Sequence, residues 1–427
     1  SKTFSSAGST RKFTFSTWLK GHETAVHGST YFFVGNINGS SNIDAIGITD
    51  TGIQISINSA TEGSLNSTAL FRDMSAWYHF VIGVDTTQST ASNRVKVYIN
   101  GTQVTAWDTE TYPDQNYDFT GINSTEAHNV SYSDSEHNGY LCETVFIDGT
   151  QYAADSFGEF DEDSPTIWKP KSVSGLTFGQ NGFYLEYKQT GTSANSSGLG
   201  ADTSGNDHHF SVNGLAAVDQ STDTCTNNYA TFNPLIPESS SVTFSEGNLK
   251  STGTGSDSWT THYGVSTFAV SQGKWYVESK VTTTQTSQAI LGILSTSQPI
   301  NSSLKDTGRA TVETAGRITV FGSNNQTGLT AFSNGDIAAI AFDATNGTAQ
   351  FYRNGSAYGS AVSSIPSDLY YFATTTYDSG GVVEFNFGSP AFSISSGNSD
   401  QNGYGNFEYS VPSGYYALNT KNLAEFG

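Results

Sequence analysis

Residues Ser333–Gly355 read SNGDIAAIAFDATNGTAQFYRNG, and this stretch decides the fold. Ala338, Ile340 and Phe342 alternate with Ala339 and Ala341 up to Asp343. A period of two over an apolar run marks a β-strand. Asn346-Gly347 then supplies two residues that tolerate positive φ, and Ala349, Phe351 and Arg353 carry a return strand to a second turn at Asn354-Gly355. The pattern predicts a hairpin whose Ile340, Phe342 and Phe351 face a core. A second instance lies upstream, where Trp77–Asp85 reads WYHFVIGVD and Arg94–Gly101 reads RVKVYING. Two copies of one hairpin predict two β-sandwich domains.

The composition agrees. With 44 Gly against 9 Pro in 427 residues, 13% aromatic and 13% charged, the chain consists of short apolar strands separated by Gly, Ser, Thr and Asn turns. Long runs of Ala, Leu, Glu, Lys and Arg, which helices favour, do not occur. The fold class is therefore all-β, with tandem antiparallel sandwiches, each large enough to bury its own core. Lys plus Arg number 18 against 39 Asp plus Glu, a formal charge of −21. Such a surface repels phosphate backbones and anionic lipid, which argues against a nucleic-acid partner. No apolar stretch approaches the roughly 20 residues that cross a bilayer, so no helical membrane insertion is expected. The opening SKTFSSAGSTRK has neither an initiating Met nor the apolar centre of a signal peptide, and reads as the start of a piece of a longer protein.

The strands expected in the first half are Phe13–Lys20, Tyr31–Val34, Ala45–Thr49, Ile53–Ile57, Trp77–Val84, Val95–Ile99, Gln103–Trp107, Gly139–Ile147 and Phe183–Tyr187, with a short helix over Tyr152–Phe160. FTFSTWLK, WYHFVIGVD, RVKVYINGTQV, NGYLCETVFIDGTQY and FGEFDEDSPTIWKPK resemble the laminin-G-like, concanavalin A-like jelly rolls of bacteriophage virion and tail-fibre proteins, marine ones especially. The resemblance implies that residues 1–190 form such a jelly roll lacking its first strand. Residues 191–240, rich in Ser, Asn, Asp, Gly and Thr, read as a polar connector; LGADTSGNDHHFSVNGL and VDQSTDTCTNNYATFNPL resemble linkers of the same proteins, with Cys225 where proline is usual. Over residues 241–393, GKWYVESKV, AILGI, the decisive hairpin, YYFATTTYD and GVVEFNFGSPAF follow the order of a SPRY, or B30.2-like, sandwich. Residues 394–427 read as a C-terminal extension.

Concanavalin A-like folds include glucanases, which need two carboxyls about 5 Å apart for retention. The nearest approach is Glu159-Phe160-Asp161-Glu162-Asp163, where alternation leaves no second glutamate beside Glu159. It reads as an exposed acidic loop, and the chain as no enzyme. No nucleophile elbow, phosphate-binding glycine loop or paired CxxC occurs, and the Asn-x-Ser/Thr triplets follow from composition. The adjacent His208 and His209, near Asp202 and Asp207, point to opposite faces and make a poor metal pair. His22, His27, His79, His128, His137 and His262 show no ligand spacing. Calcium is the one cofactor to consider, because laminin-G-like domains often bind it through loop carboxylates; Asp85, Asp108, Asp114 and Asp118 lie in suitable loops. Two cysteines make no disulfide scaffold, and Cys142, in a strand pattern, reads as a small buried residue.

Rings stack on sugar faces while acids and amides bind hydroxyls, so Trp107, Tyr112, Tyr117 and Phe119, in an Asp-rich stretch, are the candidate ligand-binding residues. For each of them a core or loop-anchor role is the competing assignment. The expected function is a structural and adhesion protein of a bacteriophage virion, a tail fibre, spike or surface-decoration subunit. The expected partners are host surface glycans, other virion proteins and further copies of itself, as a trimer if it is a fibre, at the virion surface. The alternative is a secreted or cell-surface carbohydrate-active protein, either lectin module or glycosidase.

Overall fold

The computed structural model describes residues 1–21, 29–37, 42–49, 52–131, 137, 139–162, 164–235, 242–254, 263–284, 288–298, 304, 310–375 and 379–427. His22, His27, Asp163 and His262 lie outside the described residues. The chain divides into two units, Ser1–Gln220 and Ser221–Gly427.

The first unit stacks two antiparallel sheets. One takes, edge to edge, Lys2–Thr3, Ala127–Val130, Ser29–Asn36, Ile43–Thr49, Gly52–Ile57, Gly63–Ser67 and Trp107–Thr111. The other takes Phe183–Leu185, Gly139–Asp148, Lys12–Gly21, Tyr78–Asp85, Val95–Ile99 and Thr102–Gln103. Phe15, Phe33, Ile55, Phe80, Val97 and Phe146 fill the space between them. Lys12–Gly21 is paired on both sides, by Gly139–Asp148 and Tyr78–Asp85. The strand expected over Gln103–Trp107 is split into Thr102–Gln103 and the later Trp107–Thr111, which sit in different sheets. The helix expected over Tyr152–Phe160 is only the single 3₁₀ turn Ala154–Ser156; Gly158–Phe160 pairs instead with Trp168–Pro170.

Much of the expected connector belongs to this unit. Asp202 accepts the backbone N–H groups of Tyr184, Ser204 and His208, drawing its loop against Phe183–Leu185. Phe210 then enters the core edge-on to Phe183 at 4.8 Å. Carboxylate-to-amide bonds within so polar a sequence carry no hydrophobic period, which is why composition alone reads it as linker.

The second unit is also a pair of antiparallel sheets. The first runs Val242–Ser245, Lys250–Gly253, Val382–Asn386, Lys274–Thr283, Ile337–Asp343, Thr348–Arg353 and Ser356–Val362. The second runs Tyr263–Val270, Tyr370–Thr375, Ala289–Ser295, Ala310–Glu313, Arg317–Val320 and Ser323–Gln326. Ile340 lies opposite Phe351 in register, and both join Phe342, Phe372 and Phe385 in the core, as the hairpin pattern requires. Ala339 and Ala341 face the other way, where their small side chains leave room for Phe407 and Ala417 of the C-terminal segment. The extension is thus part of the unit. Beneath it Glu278, fully buried, accepts the backbone N–H groups of Glu408 and Tyr409, and burial pushes its carboxyl up. The short helix Thr420–Phe426 ends the chain, with Asn419 accepting the Asn422 N–H at its start.

The turns differ in kind. Asp343 pairs with Thr348, so the loop at Asn346-Gly347 has four residues rather than two; Asp343 accepts both the backbone and the side-chain amide of Asn346, and Gly347 alone takes positive φ. Asn354-Gly355, between Arg353 and Ser356, is a two-residue turn with φ of 48° and 76°. Asn100-Gly101 repeats it with 46° and 80°, between Ile99 and Thr102. In both, the turn asparagine reaches back to the preceding strand: Asn100 Oδ1 accepts the His79 N–H and Asn354 Oδ1 accepts the Ile337 N–H.

Candidate functional site

The edge strand Trp107–Thr111 gathers aromatic and acidic groups at one border of the first unit. It pairs only with Gly63–Ser67, and its register slips at Asp108: Trp107 lies opposite Ser67, but Thr109 lies opposite Asn66. Such a bulge at a sheet edge re-aims neighbouring side chains. Trp107 and Tyr112 are half-buried, each resting against the core while keeping part of its ring in solvent. The Tyr112 hydroxyl donates to Glu110 Oε1 at 3.1 Å. Burial, reinforced by Glu110, pushes the Tyr112 hydroxyl up to about 12, so it is a neutral donor at any physiological pH. Sequence reading did not single out Glu110. The signal was its spacing of two from Tyr112, which puts both on one side of an extended chain.

The other two aromatics divide. Tyr117 is half-buried, with its hydroxyl pushed up to about 12 by burial and by Asp44 and Glu62. Phe119 is only 3% exposed, with its ring edge-on to Phe13 at 5.0 Å and to Tyr117 at 5.4 Å. Its faces are covered by the core, so it is a packing residue and not a stacking platform.

No three of the four aspartates bring ligand oxygens within 4.8 Å of one another. Asp85 spends its carboxylate on the Thr87 N–H and hydroxyl, on Gln88 and on Lys12 at 3.2 Å, and these contacts hold it below the usual carboxylate range. Asp118 is bound by both Nε and Nη2 of Arg11 and by the Thr10 hydroxyl. Asp108 and Asp114 are exposed on opposite sides of the Tyr112 position in the chain. Asp207 and His209 approach to 3.7 Å, but Nδ1 of His209 already accepts the Asp202 N–H.

Catalytic geometry fares no better. Glu159 sits on the exposed ribbon opposite Lys169, whose ammonium lies 3.9 Å from Glu159 and 3.1 Å from Asp161. Ser16 Oγ and His79 Nε2 lie 2.9 Å apart in a serine–histidine contact. Yet Nδ1 of His79 accepts the Trp168 indole N–H at 2.9 Å, so the ring proton sits on Nε2 and is donated to Ser16. That tautomer cannot take a proton from the hydroxyl. Stacked on Trp18 at 4.5 Å, the ring is 1% exposed, and burial drives it down to about 3.

The chain is a tandem of antiparallel β-sandwiches. No known protein family and no curated protein matches it. Among solved structures, the SPRY domain of human HERC1 is similar at 18% identity over 36% of this chain and 96% of that one, with a TM-score of 0.31. The PSpry domain of TRIM65 follows at 14% identity over 37% and 91%, with a TM-score of 0.30. A further human SPRY domain matches at 15% identity over 34% and 94%, with a TM-score of 0.27. Likeness of that order says nothing about ligand or partner, and the edge at Trp107 has to be judged by its own chemistry.

Two partly exposed rings offer apolar faces, a neutral phenol is held in place, and the exposed Glu110 and Asp108 offer acceptors. No paired acid and base, and no activated nucleophile, stands beside them among the described residues.

Proposed function

We propose that this chain is a non-catalytic adhesion protein that holds a surface glycan at the Trp107–Tyr112 edge of its first sandwich. The supporting observation is the half-buried ring of Trp107 together with Tyr112, whose hydroxyl is held by Glu110, on an edge strand with a bulge. Rings set rigidly at a border can stack on a pyranose while the neighbouring carboxylates accept its hydroxyl protons. Following the resemblance to phage virion proteins, the chain is a structural subunit of a tail fibre, spike or surface decoration on the virion exterior. It assembles there as a homo-oligomer, a trimer if it is a fibre, so that individually weak contacts gain roughly 10²–10⁴-fold in avidity. The other reading, a secreted or cell-surface lectin module, uses the same edge. Mass measurement and a reconstruction of material from the native source separate the two. A repeated copy on a particle supports the virion subunit; a lone monomer attached to no particle rejects it.

A further inference from the structure

The edge that carries the proposed glycan site is aromatic and acidic and, among the described residues, has no Lys or Arg paired with its carboxylates, and this bears on which glycan it takes. Resting on that adhesion reading, we propose that the sugar recognised there carries a free amine, a hexosamine whose ammonium sits between Glu110 and the rings of Trp107 and Tyr112. Glu110 uses Oε1 for Tyr112. Among the described residues no Lys or Arg pairs with Asp108, Glu110 or Asp114. Arg94 reaches this border, since its Nη1 donates to the Pro113 carbonyl at 2.8 Å. Its other nitrogens are spent on the Gln88 and Ser89 carbonyls, so it is tied to backbone and turned away from an anionic ligand.

An uncompensated carboxylate next to electron-rich ring faces complements a cation: the ring quadrupole and the carboxylate both attract an ammonium, and both repel a uronate or phosphate. Asp108, exposed at the bulge next to Trp107 in the strand, adds to the negative charge of this edge. The surrounding charge works in the same direction, because a chain of net charge −21 raises the local concentration of cationic ligands and lowers that of anionic ones. A neutral sugar still stacks, but without the ionic contact. The expected preference for the free amine over its N-acetyl form is roughly 3- to 30-fold.

The test uses the full chain at pH 6 and 0.15 M salt, titrated with glucosamine oligomers, N-acetylglucosamine oligomers, oligogalacturonate and oligolysine. Wild type, Glu110→Gln and Trp107→Ala are compared after melting curves show that all three are folded. The expected result is tightest binding to the glucosamine oligomer, weaker binding to the acetylated form and none to the uronate. Glu110→Gln should abolish the preference for the amine while leaving the acetylated oligomer bound, and Trp107→Ala should remove both. Equal affinity for amine and acetyl forms, or binding of the uronate, overturns the amine preference and leaves glycan adhesion standing. Oligolysine bound as tightly as the glucosamine oligomer overturns it too, as attraction without sugar recognition. Failure of the glucosamine oligomer to bind also overturns it, whereas glycan adhesion falls only if a broad panel of neutral sugars is silent as well.

Discussion

Trp168 donates its indole N–H to Nδ1 of His79 across 2.9 Å, and this one bond fixes which nitrogen of the histidine bears the proton. The ring is then a donor to Ser16, buried against Trp18, and neutral.

Acid should therefore weaken the first unit through this ring. His79 is driven from 6.5 down to about 3 and His128 down to about 4, in both cases chiefly by burial. Between these values and 6.5 the unfolded chain binds protons that the folded chain does not. Stability is fully present above pH 6.5 and falls as pH drops, by up to about 1.4 kcal/mol per pH unit for each histidine. Asp44 and Glu278, raised by burial, act with the opposite sign. The informative readout is hence the difference between wild type and His79→Gln in the drop of Tm from pH 7 to pH 4.5: the variant should lose less. An identical drop would mean that His79 titrates normally.

Phe351 is fully buried opposite Ile340 in the second core. Phe351→Ala is expected to cost roughly 3–5 kcal/mol in urea unfolding of the second unit. A neutral effect would exclude this register.

Asn354→Ala should cost about 1–2 kcal/mol, because the residue holds φ at 48° and its side chain accepts the Ile337 N–H at 2.9 Å. Asn354→Gly, which keeps the turn but not the bond, should recover part of that loss. If the glycine variant is the less stable of the two, the backbone conformation is not what the asparagine provides.

Chelation should leave the melting temperature unchanged if the aspartates act as they are placed. Asp85 is occupied by Thr87, Gln88 and Lys12, and Asp118 by Arg11 and Thr10. A rise of several degrees on adding millimolar calcium, lost in Asp118→Asn, would show that these loops rearrange around an ion.

What the sequence made legible was the alternation that buries one face of a strand, together with turns whose residues need positive φ. Ile340, Phe342 and Phe351 were readable for that reason, as was the Asn354-Gly355 turn. Asn346-Gly347 was not, because Asp343 captures the Asn346 amides and lengthens the loop, a side-chain effect that a dipeptide does not reveal. Phe119 was a candidate ligand-binding ring with a core role as the competing assignment, and the structure turns it inward against Phe13. The Asp202 loop and the C-terminal segment were invisible for a shared reason: buried carboxylates, Asp202 and Glu278, hold them through backbone N–H groups that every sequence possesses. At the candidate site the aromatic residues Trp107 and Tyr112 were legible, and Glu110, which orients the phenol, was not.

Retention of a glycan without its cleavage is measured most directly by incubating the full chain with fluorescent oligosaccharides and reading bound ligand and new reducing ends from the same samples. The expected result is saturable binding by wild type and Glu159→Gln, loss of binding in Trp107→Ala, and no reducing ends in any of them. Reducing ends released by wild type and abolished in Glu159→Gln would contradict adhesion without catalysis, and binding undiminished in Trp107→Ala would remove the ligand from this edge.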